Sequence, residues 1–317
     1  MTVFDEMAEL LEQCGQLCLP VGRDTVARRS SNSQADFDEQ VFLRDLGTAD
    51  PAGWISQAVG TYLYEIGHEL QALAALLRAN VGPGSFELVV RAVVERAGRI
   101  SWILEEGTPA EEAPTPPGAG MPIGVRRRAI RGSFELLVSQ QHYRRTLDTL
   151  RVERPLRNRA RDLLRDKREV VATWFGVQAP PSDPCDPHST PSSEITEWTI
   201  GEEAYPKYEA LARWALPSAS LSDATVRGTY GALSGWSHPN FIAAAEHLAE
   251  EGFAYRYQGD YLKRLFGLAI SATDNALKCW LGYYDHDHDT TVERLFAVAS
   301  AWENLGQRAT EDTSTEA

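Results

Sequence analysis

Apolar residues recur every three or four positions along most of the chain. Ile55, Val59, Tyr62, Ile66, Leu70, Leu73 and Leu77 mark one long helix from Ala52 to Asn80. Val-Gly-Pro-Gly at 81–84 ends it, and Ser85 caps a second long helix that runs to Glu105. Helices are also expected at 3–19, at 125–152, from Pro155 to Phe175 with closure on Gly176, and at 198–216 with a break at Pro206. Further ones are expected at 222–238, from Asn240 to Gly252, from Asp260 to Tyr284, and after the Thr290/Glu293 capping box. Residues 253–258 alternate and form the one strand-like run. The pattern predicts an all-α multi-helix bundle of about ten helices.

Two stretches rich in proline, 108–124 and 177–193, break the periodicity. The expected organisation is a helix and irregular arm over 1–51, a helical group over 52–176, a linker over 177–193, a second helical group over 194–306, and a disordered tail over 307–317. No window reaches the roughly 18 apolar residues that a membrane span needs. The acidic, amphipathic start does not resemble a secretory leader, and the four cysteines are scattered, so a cytoplasmic protein without membrane attachment is expected.

The charge of −14 is unevenly distributed. Residues 124–168 hold thirteen Arg and one Lys against five acids, a local +9, which leaves −23 on the rest. Arg126, Arg127, Arg128, Arg131, Arg144 and Arg145 are the candidate nucleic-acid contacts within this block, which continues as a ladder from Arg151 to Arg168. The competing reading is that these arginines neutralise acidic helices of the same fold. No sequence-specific DNA motif is present.

Candidate chemistry lies on two stripes. Tyr230, Ser234 and His238 are spaced i, i+4, i+8 and fall within an arc of about 80°. Glu87, Arg91, Glu95 and Arg99 repeat every four residues on the otherwise apolar helix at 85–105, facing either water or a polar interior. Turned inward, each charge needs a partner, which the Tyr/Ser/His stripe could supply. A neutral His238 beside Arg91 or Arg99 would suffice for metal-free RNA cleavage, the imidazole drawing the 2′-hydroxyl proton and the guanidinium steadying the phosphorane. No cofactor is expected. Two metal alternatives are weighed: a di-iron carboxylate site starting from Glu65-x-x-His68, and zinc held by Cys185 and His188 with His286 or His288.

The Arg91-Ala-Val-Val-Glu95 helix ending near Trp102, together with the later Tyr230, Leu233, Ser234, His238 helix, resembles a group of uncharacterised bacterial all-helical proteins. More distantly it is similar to the HEPN superfamily, whose active members are dimeric, metal-independent ribonucleases of toxin–antitoxin and phage-defence systems. The resemblance covers about residues 55–105 and 195–285. It implies a HEPN-like helical binding or regulatory protein, RNA as the partner class and a homodimer, with a ribonuclease as the alternative. Active members carry an arginine a few residues before the histidine. Here the nearest upstream one is Arg227, so Arg91 or Arg99 would have to substitute.

Overall fold

A computed structural model describes residues 2–25, 30–79, 85–113, 120–182, 190–216 and 259–285, with scattered positions in 228–233 and 290–305. The chain is an all-α helical bundle, with one small sheet among the described residues. Its elements are α1 (Val3–Arg23), α2 (Gln34–Leu46), α3 (Asp50–Arg78), α4 (Ser85–Ile103), α5 (Pro109–Glu112), α6 (Ile123–Thr149), α7 (Arg154–Phe175), β1 (Val177–Gln178), a 3-10 turn (Ile195–Glu197), β2 (Thr199–Ile200), β3 (Glu203–Ala204), α8 (Tyr208–Ala215) and α9 (Gly259–Tyr284). Among the described residues no helix is long and apolar enough to cross a membrane.

The helices form two compact units that interleave along the sequence. One comprises Met1–Ser33, Val59–Trp102 and Tyr208–Ala317, the other Gln34–Ala58 and Ile103–Lys207. This differs from the expected division at 177–193. Prolines forbid helix there but not pairing: β1 joins β2 antiparallel, Pro181 bridges Pro191, and the Ser192 N–H donates to the Pro180 carbonyl.

In the first unit α1 and α3 touch through glycines. A Cβ at Gly15 would lie 2.7 Å from the Gly67 carbonyl oxygen, and one at Gly22 would lie 2.6 Å from that of Gly60. Both pairs add to the same number, as level positions on antiparallel helices must, so the two backbones stay close over two turns. Phe86 of α4 meets Phe266 of α9 edge-on at 5.3 Å. Asn275 of α9 donates to the Ser101 hydroxyl and the Trp214 carbonyl, tying α4 and α8 to α9.

The stretch 20–51, expected to be irregular after α1, contains α2. Pro20 sits in the last turn of α1 and costs only one backbone donor, so the helix continues to Arg23. The buried side of α2 is Ala35, Asp38, Val41 and Phe42, a helical stripe with an acid in the middle. Similarly, 198–204 forms the β2–β3 hairpin, and helix begins only beyond Pro206, at Tyr208. The strand-like run 253–258 lies outside the described residues.

The second unit closes on Arg128. Its side chain is 1% exposed, and all five N–H donors of its guanidinium can be assigned. Nε and one terminal nitrogen reach the two oxygens of Asp38 at 2.7 and 2.9 Å. The terminal nitrogens reach Glu112 at 2.6 and 2.8 Å, and one of them also reaches the Glu105 carbonyl at 3.3 Å. Asp38 is fully buried on α2. Glu112 ends α5, the short helix inside the proline-rich stretch 108–124, and Gly124 leaves the room its carboxylate occupies. One side chain of α6 thus fastens α2 and a segment that composition alone makes a loop. Burial raises the Glu112 pKa, but the Arg128 hydrogen bonds and charge and the Gly107 N–H overcome this and hold it below its ordinary value. Its stabilising contribution is therefore complete above the ordinary glutamate value and is lost as pH falls through the lowered one.

Arg128→Met should cost about 3–5 kcal/mol in denaturant unfolding, because it strands the Asp38 carboxylate in the core. Adding Asp38→Leu should recover most of the loss. If the double variant is no more stable than the single one, the guanidinium is not what holds this unit.

Candidate functional site

The stripe on α4 is buried at Glu87 and half-buried at Arg91, Glu95 and Arg99. Glu87 is fully buried and accepts a 2.6 Å hydrogen bond from the Tyr261 hydroxyl of α9. Arg91 and Glu95 form a 2.6 Å ion pair, each side chain 19% exposed. The Arg91 guanidinium lies 5.9 Å from the Tyr208 ring and that of Arg99 lies 6.0 Å from the Tyr62 ring. Tyr230, Ser234 and His238 lie outside the described residues, as do Cys185, His188, His286 and His288. The structure therefore places the α4 half of the expected site and is silent on the other half.

Beside this stripe sit two residues that sequence reasoning passed over. Arg96 bonds Glu65 of α3 through Nε at 2.6 Å and Glu69 through a terminal nitrogen at 2.7 Å. Burial pushes the Glu69 carboxyl up to about 7, with Arg96 opposing and Glu65 and Glu95 adding to the rise. The i, i+4 spacing of Glu65 and Glu69 was the available signal. Arg96 bonds the Glu65 carboxylate from which the di-iron alternative starts, while His68 sits edge-on against Tyr64 at 4.6 Å. Among the described residues no three His, Cys, Asp or Glu side chains come together as a metal-binding set.

The basic block divides between two helices. On α6 the fold brings carboxylates to the arginines. Arg126 pairs with Glu202 at 3.3 Å and lies over the Phe175 ring; Arg127 pairs with Glu111 and Glu203, each at 3.2 Å. Arg131, 5% exposed, pairs with Glu105 at 2.7 Å and Glu203 at 3.1 Å. Arg145 is bonded to Glu194, and half-buried Arg144 keeps an Nε with no hydrogen-bond partner. Arg128 and Arg131, expected to touch nucleic acid, are buried and cannot reach a phosphate backbone while this unit is folded. The expectation counted local charge, but Glu202 and Glu203 are more than seventy positions away in sequence and become neighbours only in the fold.

On α7 the arrangement reverses. Arg154, Arg161, Arg165 and Arg168 are spaced 7, 4 and 3, which puts them within an arc of about 60° along about 21 Å of helix. All four are exposed. Arg161 meets Asp148 at 3.1 Å and Arg165 meets Asp162 and Asp166 at 3.0 and 3.1 Å, pairs of a solvated kind that hold little energy. Among the described residues Arg154 has no carboxylate partner. Arg168 stacks 4.3 Å over the ring of buried Trp198, whose indole N–H donates to the Ser192 carbonyl. Partial desolvation of its guanidinium, and then the nearby Arg144 charge, lower the Arg168 pKa. The stripe is a ridge of positive charge, one end of it rigidly seated.

For Glu69 the sign of the pH effect is fixed by its raised value. The protonated form is favoured in the folded state, so stability present below the ordinary glutamate value of 4.5 is lost as pH rises towards 7. Thermal unfolding of the wild type should decline more steeply between pH 5 and 8 than that of Glu69→Gln. Parallel profiles would mean that this carboxyl titrates as an ordinary surface group. No protein family, no curated protein and no solved structure matches this chain.

Proposed function

We propose that the chain is a HEPN-like helical binding protein that holds RNA along the α7 arginine ridge, acts as a homodimer, and serves a regulatory role of the toxin or defence type that the sequence resemblance implies. The observation that carries the binding reading is the contrast between two adjacent helices. Arg127, Arg128 and Arg131 of α6 are locked to carboxylates inside the unit, whereas Arg154, Arg161, Arg165 and Arg168 face solvent in one line. Exposed guanidiniums in a row match a phosphate backbone, and their weak carboxylate pairs exchange for phosphate at little cost. The remaining acidic surface opposes non-specific wrapping, which confines contact to the ridge.

Titration of a labelled single-stranded RNA tests this. Four phosphate contacts give a slope of log K against log salt of about −3, and Arg154→Ala with Arg165→Ala should make it shallower by about 1.4. The RNA should remain intact in excess EDTA. Unchanged binding in the double variant, equal affinity for DNA of the same sequence, or cleavage that His238→Ala abolishes would each overturn the reading of an RNA-binding, non-cleaving protein.

A further inference from the structure

The α6–α7 hairpin has a second face, opposite the arginine ridge. Tyr143 and Leu150 on and just after α6, and Leu156 and Leu163 on α7, are 52%, 68%, 45% and 40% exposed. Isolated exposed apolar residues are ordinary, but these four are ordered. Each pair is seven residues apart, a spacing that keeps two side chains on one edge of a helix. The ion pairs of Asp148 with Arg157 and Arg161 mark the register of the antiparallel hairpin, and in that register Leu150 is level with Leu156 and Tyr143 with Leu163.

Helix phase places all four on the same side. Tyr143 and Leu150 lie about 140–160° around α6 from Asp148, with buried Leu147 between. Leu156 and Leu163 lie about 140–160° around α7 from Arg161, with buried Leu164 between. Asp148 and Arg161 meet on one face of the hairpin, so the apolar four share the other. They form two levels, Leu150 with Leu156 and Tyr143 with Leu163, one heptad apart, which is the pattern of a helix-bundle seam lacking its other half.

We propose that this face joins two copies of the chain, hairpin against hairpin, about a two-fold axis parallel to the helices. This deepens the homodimeric reading above by naming its surface. A second copy is the occupant because the pattern complements itself. Since the members of each pair are level, the dyad stacks Leu150 and Leu156 of both copies into one four-leucine layer, and Tyr143 and Leu163 of both into the next. Charge agrees. On this side α6 offers Ser139, His142 and Thr146, so Asp166 of the opposing α7 meets no acid and Arg159 comes level with Thr146. The ridge face would set arginine against arginine. Dimerisation here leaves both ridges outward and available to one RNA strand.

Light scattering and sedimentation over micromolar concentrations test the surface. Wild type should be dimeric. Leu150→Glu with Leu156→Glu should raise the dimer dissociation constant at least about a hundredfold while helix content and unfolding temperature stay unchanged. Leu150→Lys with Leu156→Lys should be equally monomeric alone, and an equal mixture of the two variants should regain the dimer. Arg154→Glu with Arg161→Glu should leave it intact. A dimer indifferent to the leucine changes overturns this surface and leaves the homodimeric reading standing. A monomeric wild type overturns both, and capture of an unrelated protein by a monomeric wild type would assign the face to that partner. The RNA titration is independent of all three outcomes.

Discussion

One buried guanidinium sets the conditions for the second unit. A charge as deep as Arg128 is tolerable only if it is fully paired, and pairing it draws Asp38 of α2 and Glu112 of α5 to the same point of α6. The demand runs both ways, because Asp38 is as buried as its partner. A helix preceded by a polar stretch and a proline-rich segment with little apolar content are thereby held against a long helix without a large hydrophobic contribution of their own. Gly124, with no Cβ to displace the Glu112 carboxylate, is part of the same arrangement.

The same electrostatic logic sorts the basic block. Arginines on α6 are consumed where the fold supplies acids: Glu105, Glu111 and Glu203 surround Arg127 and Arg131, and Glu202 meets Arg126. On α7 the acids are the helix's own Asp162 and Asp166, exposed and weakly held, and Asp148 from the end of α6. Net local charge is therefore a poor guide to a binding surface; what matters is the charge left over after the fold has paired what it can. The proposed function places RNA on that remainder, and the proposed dimer places apolar contact on the opposite side of the same hairpin.

How much of this was legible in the sequence depended on range. Period and breakers located α1, α3, α4, α6, α7 and α9 closely, because apolar spacing, Pro155 and Gly176 are local signals. They missed α2, whose buried stripe contains Asp38, and α5, whose helix is four residues set among prolines. They also read 198–204 as helix, where β2 and β3 pair with each other and with β1. The α4 stripe was visible as a pattern, but its partners Tyr261 and Tyr208 lie far along the chain. Arg96 with Glu65 and Glu69, and the distinction between the α6 and α7 arginines, required partners that no local window contains.

The central claim is that the fold divides one arginine-rich block into a structural set and a set left for a ligand. Modification of the native protein with an arginine-selective dicarbonyl, read by mass spectrometry with and without RNA, tests it most directly. The account predicts that Arg128 and Arg131 stay unmodified in both conditions, and that Arg154, Arg161 and Arg165 react freely and are protected by RNA. Modification of Arg128 and Arg131 at the rate of Arg154, or protection by RNA confined to α6, would contradict it.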